Sequence, residues 1–272
     1  MKYINVLTIA GSDSGGGAGI QADIKTFSAL GCYATSVITA VTAQNTLGIK
    51  SFHNIPVNVI SDQLDAILED IKPDAIKIGM IGRAEVVDVI YKAFNKHGVD
   101  VPVILDPVMV ATSGAKLIEP DALVLIKEKL FNVISLITPN IDEATILSGQ
   151  TIHNLDEMIL AGQKIVAQGV KTVLIKGGHL PAPIIYDVFI SADEEPVILE
   201  STFIPSGNLH GTGCTLSSAI TAEMAKQNNL LAAIKTAKIY QSNAILSGND
   251  VKTGAGNGPL NHFFDPLKSI KI

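Results

Sequence analysis

Short apolar runs recur along the chain, separated by longer stretches whose apolar positions repeat at helical spacing. Val6 to Ala10, Ser36 to Val41, Ala75 to Ile78, Val101 to Leu105, Ile134 to Ile137 and Thr172 to Ile175 are rich in valine and isoleucine. Such nearly continuous runs mark strands buried on both faces of a parallel sheet. Between them, Gln63, Leu64, Ile67, Leu68 and Ile71 share one helical face, as do Val86, Val87, Ile90, Tyr91 and Phe94. Alternating strand and helix patterns predict a mostly parallel sheet with helices on both sides, a three-layer α/β/α architecture. Ile184 to Ile190 and Val197 to Phe203 flank an Asp-Glu-Glu-Pro turn and predict an antiparallel hairpin at one edge. Thr212 to Lys226 and Leu230 to Ser247 predict two closing helices. No linker, repeat or low-complexity stretch divides residues 1–272, so one domain is expected.

Composition supports a large buried core: 47 % of the 272 residues are hydrophobic and 17 % charged. No apolar run reaches the roughly 18 residues a membrane helix needs. The N-terminal apolar stretch is too short for a secretory signal, so a cytoplasmic protein without a membrane partner is expected. Net charge is −6, and Arg83 is the single arginine. That balance argues against a nucleic-acid partner, which calls for a basic field and arginine contacts. Cys32 and Cys214 stand far apart with no metal-ligand spacing, which reads as reduced thiols.

Ligands of such sheets bind beyond the carboxyl ends of the strands, so the residues that follow each strand carry the chemistry. Gly11 to Gly19 holds five glycines in nine residues and precedes a helical stretch from Ile20. Glycines there let backbone amides approach an anion or a flat ligand. Gly17 to Ala22 matches a GxGxxA dinucleotide fingerprint, but the acidic ribose ligand expected about 20 positions on is missing. No acidic residue occurs between Asp23 and Asp62, and no Gly-Lys pair offers a phosphate-binding lysine of the P-loop kind.

A second turn, His210-Gly211-Thr212-Gly213-Cys214-Thr215, opens another helix and places Gly211 to Cys214 at its amino end. Free amides and the helix dipole gather there, a setting that lowers a thiol pKa. The alternative is a packed helix start with Thr212 or Thr215 as cap. Other strand ends carry Gln44 and Asn45, Asp106, Asn140 and Glu143 at capping-box spacing, and Lys176 beside Gly177, Gly178 and His179. The six histidines show no clustering by spacing. A third glycine cluster, Gly254 to Pro259, reads as a loop. Glycine turns, a helix start with a nucleophile-like residue and a lysine, all at strand ends, point to phosphoryl transfer, which depends on positioning and charge neutralisation.

These motifs together resemble the bacterial hydroxymethylpyrimidine/phosphomethylpyrimidine kinases of the ribokinase-like superfamily. The resemblance rests on the segments 10–23, Val41 to Thr46, Lys77 to Met80, Asp106 to Met109, Thr138 to Asn140, Lys176 to His179 and His210 to Thr215, and runs to about His262. It implies phosphorylation of 4-amino-5-hydroxymethyl-2-methylpyrimidine and then of its monophosphate, with ATP and Mg²⁺, in thiamine diphosphate synthesis. A monovalent cation is a further candidate cofactor, and a homodimer is implied.

Carried over by position, Asp23 and Gln44 would hydrogen-bond the aminopyrimidine, with Gly11, Met80 and Val108 against its ring. Gly211, Thr212 and Gly213 would cradle the transferred phosphoryl group, and Cys214 would be the base. Lys176 and Asn140 would serve ATP, with Glu143 and Asp106 holding the metal's water shell. The late glycine loop would lie near the adenine or the mouth of the site. A pyridoxal or pyridoxine kinase of the same fold is the alternative. Some pyridoxal-specialised relatives carry an additional cysteine after the Asp106 motif, and Met109 to Gly114 contains none. A non-catalytic pyrimidine sensor or a dinucleotide oxidoreductase is a more distant reading.

Overall fold

The apolar runs assemble into a nine-stranded sheet in a computed structural model that describes residues 1–110, 117–178 and 184–272. The strands are β1 (Asn5–Asp13), β2 (Tyr33–Asn45), β3 (Gly48–Asn54), β4 (Ala75–Ile78), β5 (Val103–Leu105), β6 (Leu136–Ile137), β7 (Thr172–Ile175), β8 (Ile184–Ser191) and β9 (Val197–Thr202). Their order is β3-β2-β1-β4-β5-β6-β7-β8-β9. From β2 through β7 every pairing is parallel. The expected hairpin of β8 and β9 closes one edge, with β8 antiparallel to β7 as well. The opposite edge holds a second antiparallel strand that the pattern did not predict. β3, Gly-Ile-Lys-Ser-Phe-His-Asn, has no buried residue and so carries no apolar run or alternation.

The helices are α1 (Gly19–Ala29), α2 (Val57–Asp70), α3 (Ala84–His97), α4 (Pro120–Leu125), α5 (Ile141–Ser148), α6 (Leu155–Val166), α7 (Thr212–Ala225) and α8 (Leu230–Ser247). α4 runs on into a π turn at Ile126–Leu130. Residues of one parity along the strands, such as Leu7, Ile9, Ile76, Ile78, Val103 and Leu105, pack under α2 to α6. Those of the other parity, such as Val6, Ala75 and Ile104, pack under α1, α7 and α8. This is the period-two consequence of a strand with helices on both faces.

The second layer has a polar seam. Lys77 on β4 is fully buried and pairs with Asp23 of α1 at 2.9 Å. Asp23 also accepts from Thr8 at 2.6 Å and Ser218 at 2.7 Å. Burial works against the Lys77 charge, but Asp23, with Cys214 and Asp106 nearby, holds the ammonium well above its usual range. Losing either partner of so buried a pair costs about 3–5 kcal/mol, because the other charge is left uncompensated. β1 lies between β2 and β4, so the chain leaves it in both directions across the sheet. That switch point opens a crevice at the carboxyl ends of the strands.

Candidate active site

A cavity of about 690 Å³ occupies this crevice. Every expected site residue lines it except Asp23. Asp23 points instead into the seam below, where its two oxygens accept from Lys77, Thr8 and Ser218. Four hydrogen bonds fill the four acceptor positions of a carboxylate, so none remains for a ligand. Its place in the motif therefore reflects support of α1 against α7, and the expectation that it binds substrate is corrected. Asn45 also stays outside the cavity, its Oδ1 accepting from Leu47 N at 2.9 Å in the turn between β2 and β3.

The first glycine turn holds an anion of its own. Asp13, at the end of β1, accepts from the amides of Gly15 at 2.8 Å, Gly17 at 3.1 Å and Ala18 at 2.9 Å. His210 Nε2 lies 2.9 Å from the same carboxylate. Burial alone would raise the Asp13 pKa, but the His210 contact and the loop amides outweigh it and hold the carboxyl below its usual value. Asp13 is thus a carboxylate that satisfies the glycine-loop amides, and the turn has no free anion hole there.

The second turn is different. Gly211 caps α7 at φ 88° with no side-chain cap, so neither Thr212 nor Thr215 fills that role. Thr215 instead donates back to Gly211 O at 2.8 Å. A Cβ on Gly211 would stand 1.8 Å from Gly17 O, so glycine is needed both for the left-handed backbone and for the contact between the two turns. Thr212 N donates to Leu209 O at 3.2 Å, and the Gly213 and Cys214 amides that follow it on the cavity wall have no capping side chain. Gly213 sits against the Lys176 ammonium and the Asp106 carboxylate: a Cβ there would lie 3.4 Å and 3.6 Å from them. Behind the turn, His262 Nε2 is 3.0 Å from Thr215 Oγ1, and burial pushes its pKa down to about 4, so the ring is neutral.

Lys176 pairs with Asp106 at 3.0 Å and is largely buried, not the solvated lysine its strand-end position permits. Burial opposes its charge, while Asp106 and Glu143 together hold its pKa up. Asp106 also accepts from Thr138 at 3.3 Å and Ser217 at 3.3 Å. Despite burial it stays ionised, because Lys176 and Lys77 lower its pKa. Asn140 and Glu143 form the reciprocal capping box their spacing predicts. The cap does not exhaust Glu143, which is buried in the cavity wall. Burial pushes its pKa up to about 7; Lys176 acts against the rise and Asp106 adds to it.

Cys214 stands in the first turn of α7, yet its thiol is not activated. Burial pushes its pKa up to about 11; Lys77 opposes the shift, while Asp23 and Asp106 reinforce it. The expected depression by the helix amino end is overturned because desolvation and two buried carboxylates outweigh the dipole. The late glycine loop is tied to the β2–β3 turn and to the second glycine turn: Asn257 N donates to Thr46 O at 3.0 Å, and His210 N donates to Gly258 O at 3.1 Å. His179 and residues 111–114 of the stretch after Asp106 lie outside the described residues.

With this geometry in view, the sequence model of the phosphomethylpyrimidine kinase family matches residues 13–261. The chain belongs to the phosphomethylpyrimidine kinase family. A hydroxymethylpyrimidine/phosphomethylpyrimidine kinase of Rhizobium meliloti is 45 % identical over 94 % of this chain and 96 % of that protein. The crystal structure of a Clostridium difficile phosphomethylpyrimidine kinase shares 42 % identity and a TM-score of 0.78, over 89 % of this chain and 99 % of that one. The ADP complex of Bacillus subtilis pyridoxal kinase shares 35 % identity and a TM-score of 0.88, over 96 % and 98 % of the two chains. Two pairs of residues in this kinase site, Asp13 with His210 and Lys77 with Asp23, went unassigned or misassigned in the sequence. The available signal was an acid two residues before three successive glycines, and a histidine directly before Gly211.

Proposed function

We propose that the chain, working as one domain, transfers the γ-phosphoryl group of ATP to 4-amino-5-hydroxymethyl-2-methylpyrimidine. A second transfer to the monophosphate gives the diphosphate used in thiamine diphosphate synthesis. The observation that carries this reading is the uncapped start of α7 with Lys176 and Asp106 against Gly213, on the cavity that Gln44 also lines. Family membership and the relatives' names supply the substrate.

In this reading Gln44 binds the aminopyrimidine edge, and Gly11, Met80 and Val108 pack on the ring. Gly211 and Gly213 direct amides at the phosphoryl oxygens, where preorganised donors act most strongly on developing charge, and Thr212, its own amide held by Leu209 O, sets the turn between them. Lys176 neutralises ATP phosphate and Asn140 helps place the nucleotide. The oxygen donors of Glu143 and Asp106 suit Mg²⁺. Their existing bonds to Lys176, Thr138, Ser217, Asn140 and Met109 favour holding it through water. Bound there, Mg²⁺ would neutralise phosphate charge. Cys214 receives the hydroxyl proton. Its resting thiol is protonated, so it acts as base only as the thiolate, after its own proton has passed to solvent or to an ATP phosphate oxygen; a loose transition state asks little of that base.

Among the described residues no helix is long and apolar enough to cross a membrane. A cytoplasmic homodimer completes the proposal; exposed Leu47 and Phe52 at the β2–β3 edge offer apolar surface for a second copy, to be checked by light scattering. The test of function is kcat/KM with ATP on the pyrimidine alcohol and on pyridoxal, with Mg²⁺ and K⁺ each varied. Preference for the pyrimidine supports the reading. Preference for pyridoxal replaces it with the vitamin B6 kinase alternative.

A further inference from the structure

Gln44 joins a small network whose hydrogens can be counted. One atom of its amide lies 3.2 Å from His210 Nε2, and the other lies 3.2 Å from Thr42 Oγ1. With nitrogen toward His210 and oxygen toward Thr42, two groups are asked to do too much. His210 Nε2 lies 2.9 Å from Asp13, whose carboxylate accepts three loop amides and is ionised. Against that acceptor Nε2 carries a hydrogen, so it cannot also accept one from Gln44. Thr42 would likewise need its single hydroxyl hydrogen for both Gln44 and Ser12 O, which is 3.0 Å away.

Turning the amide by half a turn changes no distance noticeably and removes both conflicts. The oxygen then accepts from His210 Nε2–H, which it shares with Asp13. The nitrogen donates to Thr42, whose own hydrogen goes to Ser12 O. Two independent ends of the network demand the same orientation.

We infer that Asp13, acting through His210, fixes the Gln44 amide with its oxygen on the His210 side and its nitrogen on the Thr42 side. His210 and Asp13 are thereby positioning residues that set specificity. Each amide atom keeps one unused direction, a lone pair on oxygen and a hydrogen on nitrogen. That pair complements a ring edge bearing an amine beside an unprotonated ring nitrogen, with the amine on the His210 side. An edge with a carbonyl beside a ring N–H presents the opposite order and is rejected. The identity of the ligand rests on the pyrimidine kinase reading; the amide orientation does not.

Two experiments test it. In ligand-free protein, ¹⁵N NMR of labelled histidine reads the His210 ring: a protonated Nε2 is expected, and a bare Nε2 overturns the inference whatever the substrate. The second compares turnover of the 4-amino pyrimidine alcohol with its 4-oxo analogue. The wild-type chain is expected to favour the amine by about 100-fold or more, since a site built for one hydrogen-bond order leaves buried groups unpaired with the other. His210→Phe frees the amide, so the ratio is expected to fall to within about tenfold. An unchanged ratio with both rates lowered equally reduces His210 to packing and overturns the specificity role. Should the wild-type chain use neither pyrimidine, the kinase reading fails while the NMR result still decides the orientation.

Discussion

The two glycine turns look alike in sequence and part company in structure. Both follow a strand or extended segment, both precede a helix, and both gather backbone amides. In the first, Asp13 fills the nest formed by the Gly15, Gly17 and Ala18 amides. In the second, Gly211 caps α7 without any side-chain oxygen. One turn is complete in itself and serves as a wall, while the other is left wanting an anion. The difference teaches that glycine content marks where amides converge, and that a carboxylate within the loop decides whether they remain free. Two acids of the site, Asp13 and Glu143, titrate in opposite senses. Asp13 is held down by His210 and the loop amides against the effect of burial, whereas burial wins at Glu143 and drives it up.

The largest expected effect comes from pushing the turns apart. Gly211→Ala places a Cβ 1.8 Å from Gly17 O in a left-handed backbone, and nothing nearby is a flexible side chain. Turnover should fall by about 10³-fold or more as the amides lose their aim. Thermal melting and steady-state rates measure both consequences, and a variant with normal rates would detach the turn contact from catalysis. Next, Cys214→Ala should cost about 10²–10⁴-fold in kcat, the range of a general base, with a small change in stability. Cys214→Asp should recover part of it. Unchanged turnover in the alanine variant removes the thiol from the reaction.

Asp13→Asn probes the filled nest. An amide cannot accept from three loop N–H groups and His210 as a carboxylate does, so a loss of about 1–3 kcal/mol is expected in urea unfolding at pH 7. The pH dependence has a definite sign. Asp13 has a folded pKa below its unfolded value, so its contribution is complete above about pH 4 and is lost as pH falls further. The variant should therefore show a shallower acid decline than the wild type.

Glu143→Gln gives the smallest and opposite effect. Burial lifts its folded pKa to about 7, above the ordinary carboxyl value of 4.5, so the folded chain retains a proton that the unfolded chain releases. Stability thus declines as pH rises from about 4.5 through 7. The glutamine variant should flatten that decline by on the order of 1 kcal/mol, the effect being shared with Lys176 and Asp106. Unfolding curves at pH 5 and pH 8 check it.

The central strands were legible because burial on both faces leaves continuous apolar runs, as in Thr172–Ile175, and the closing helices because one buried face recurs at helical spacing, as at Ala233, Ala237, Tyr240 and Ala244. β3 was not, since an edge strand with no buried residue has no pattern to betray it. The Asn140–Glu143 cap was readable from spacing, because capping is a local interaction. Asp23 was misplaced because a motif position does not say which way α1 turns its carboxylate, and a buried lysine 54 residues away claims it. The Cys214 thiol was misjudged for a related reason: the helix start is visible in sequence, but the burial and the carboxylates that oppose it come from distant strands and helices.

The measurement that reaches the central contrast most directly is a crystal structure with ADP, Mg²⁺, fluoroaluminate and the pyrimidine alcohol. The planar fluoroaluminate stands in for the phosphoryl group in transfer. It should lie on the Gly211, Gly213 and Cys214 amides beside Lys176, with the Asp13 loop unchanged and the pyrimidine against Gln44. Fluoroaluminate bound to the Gly15–Ala18 amides in place of Asp13, or away from α7 altogether, would contradict the account.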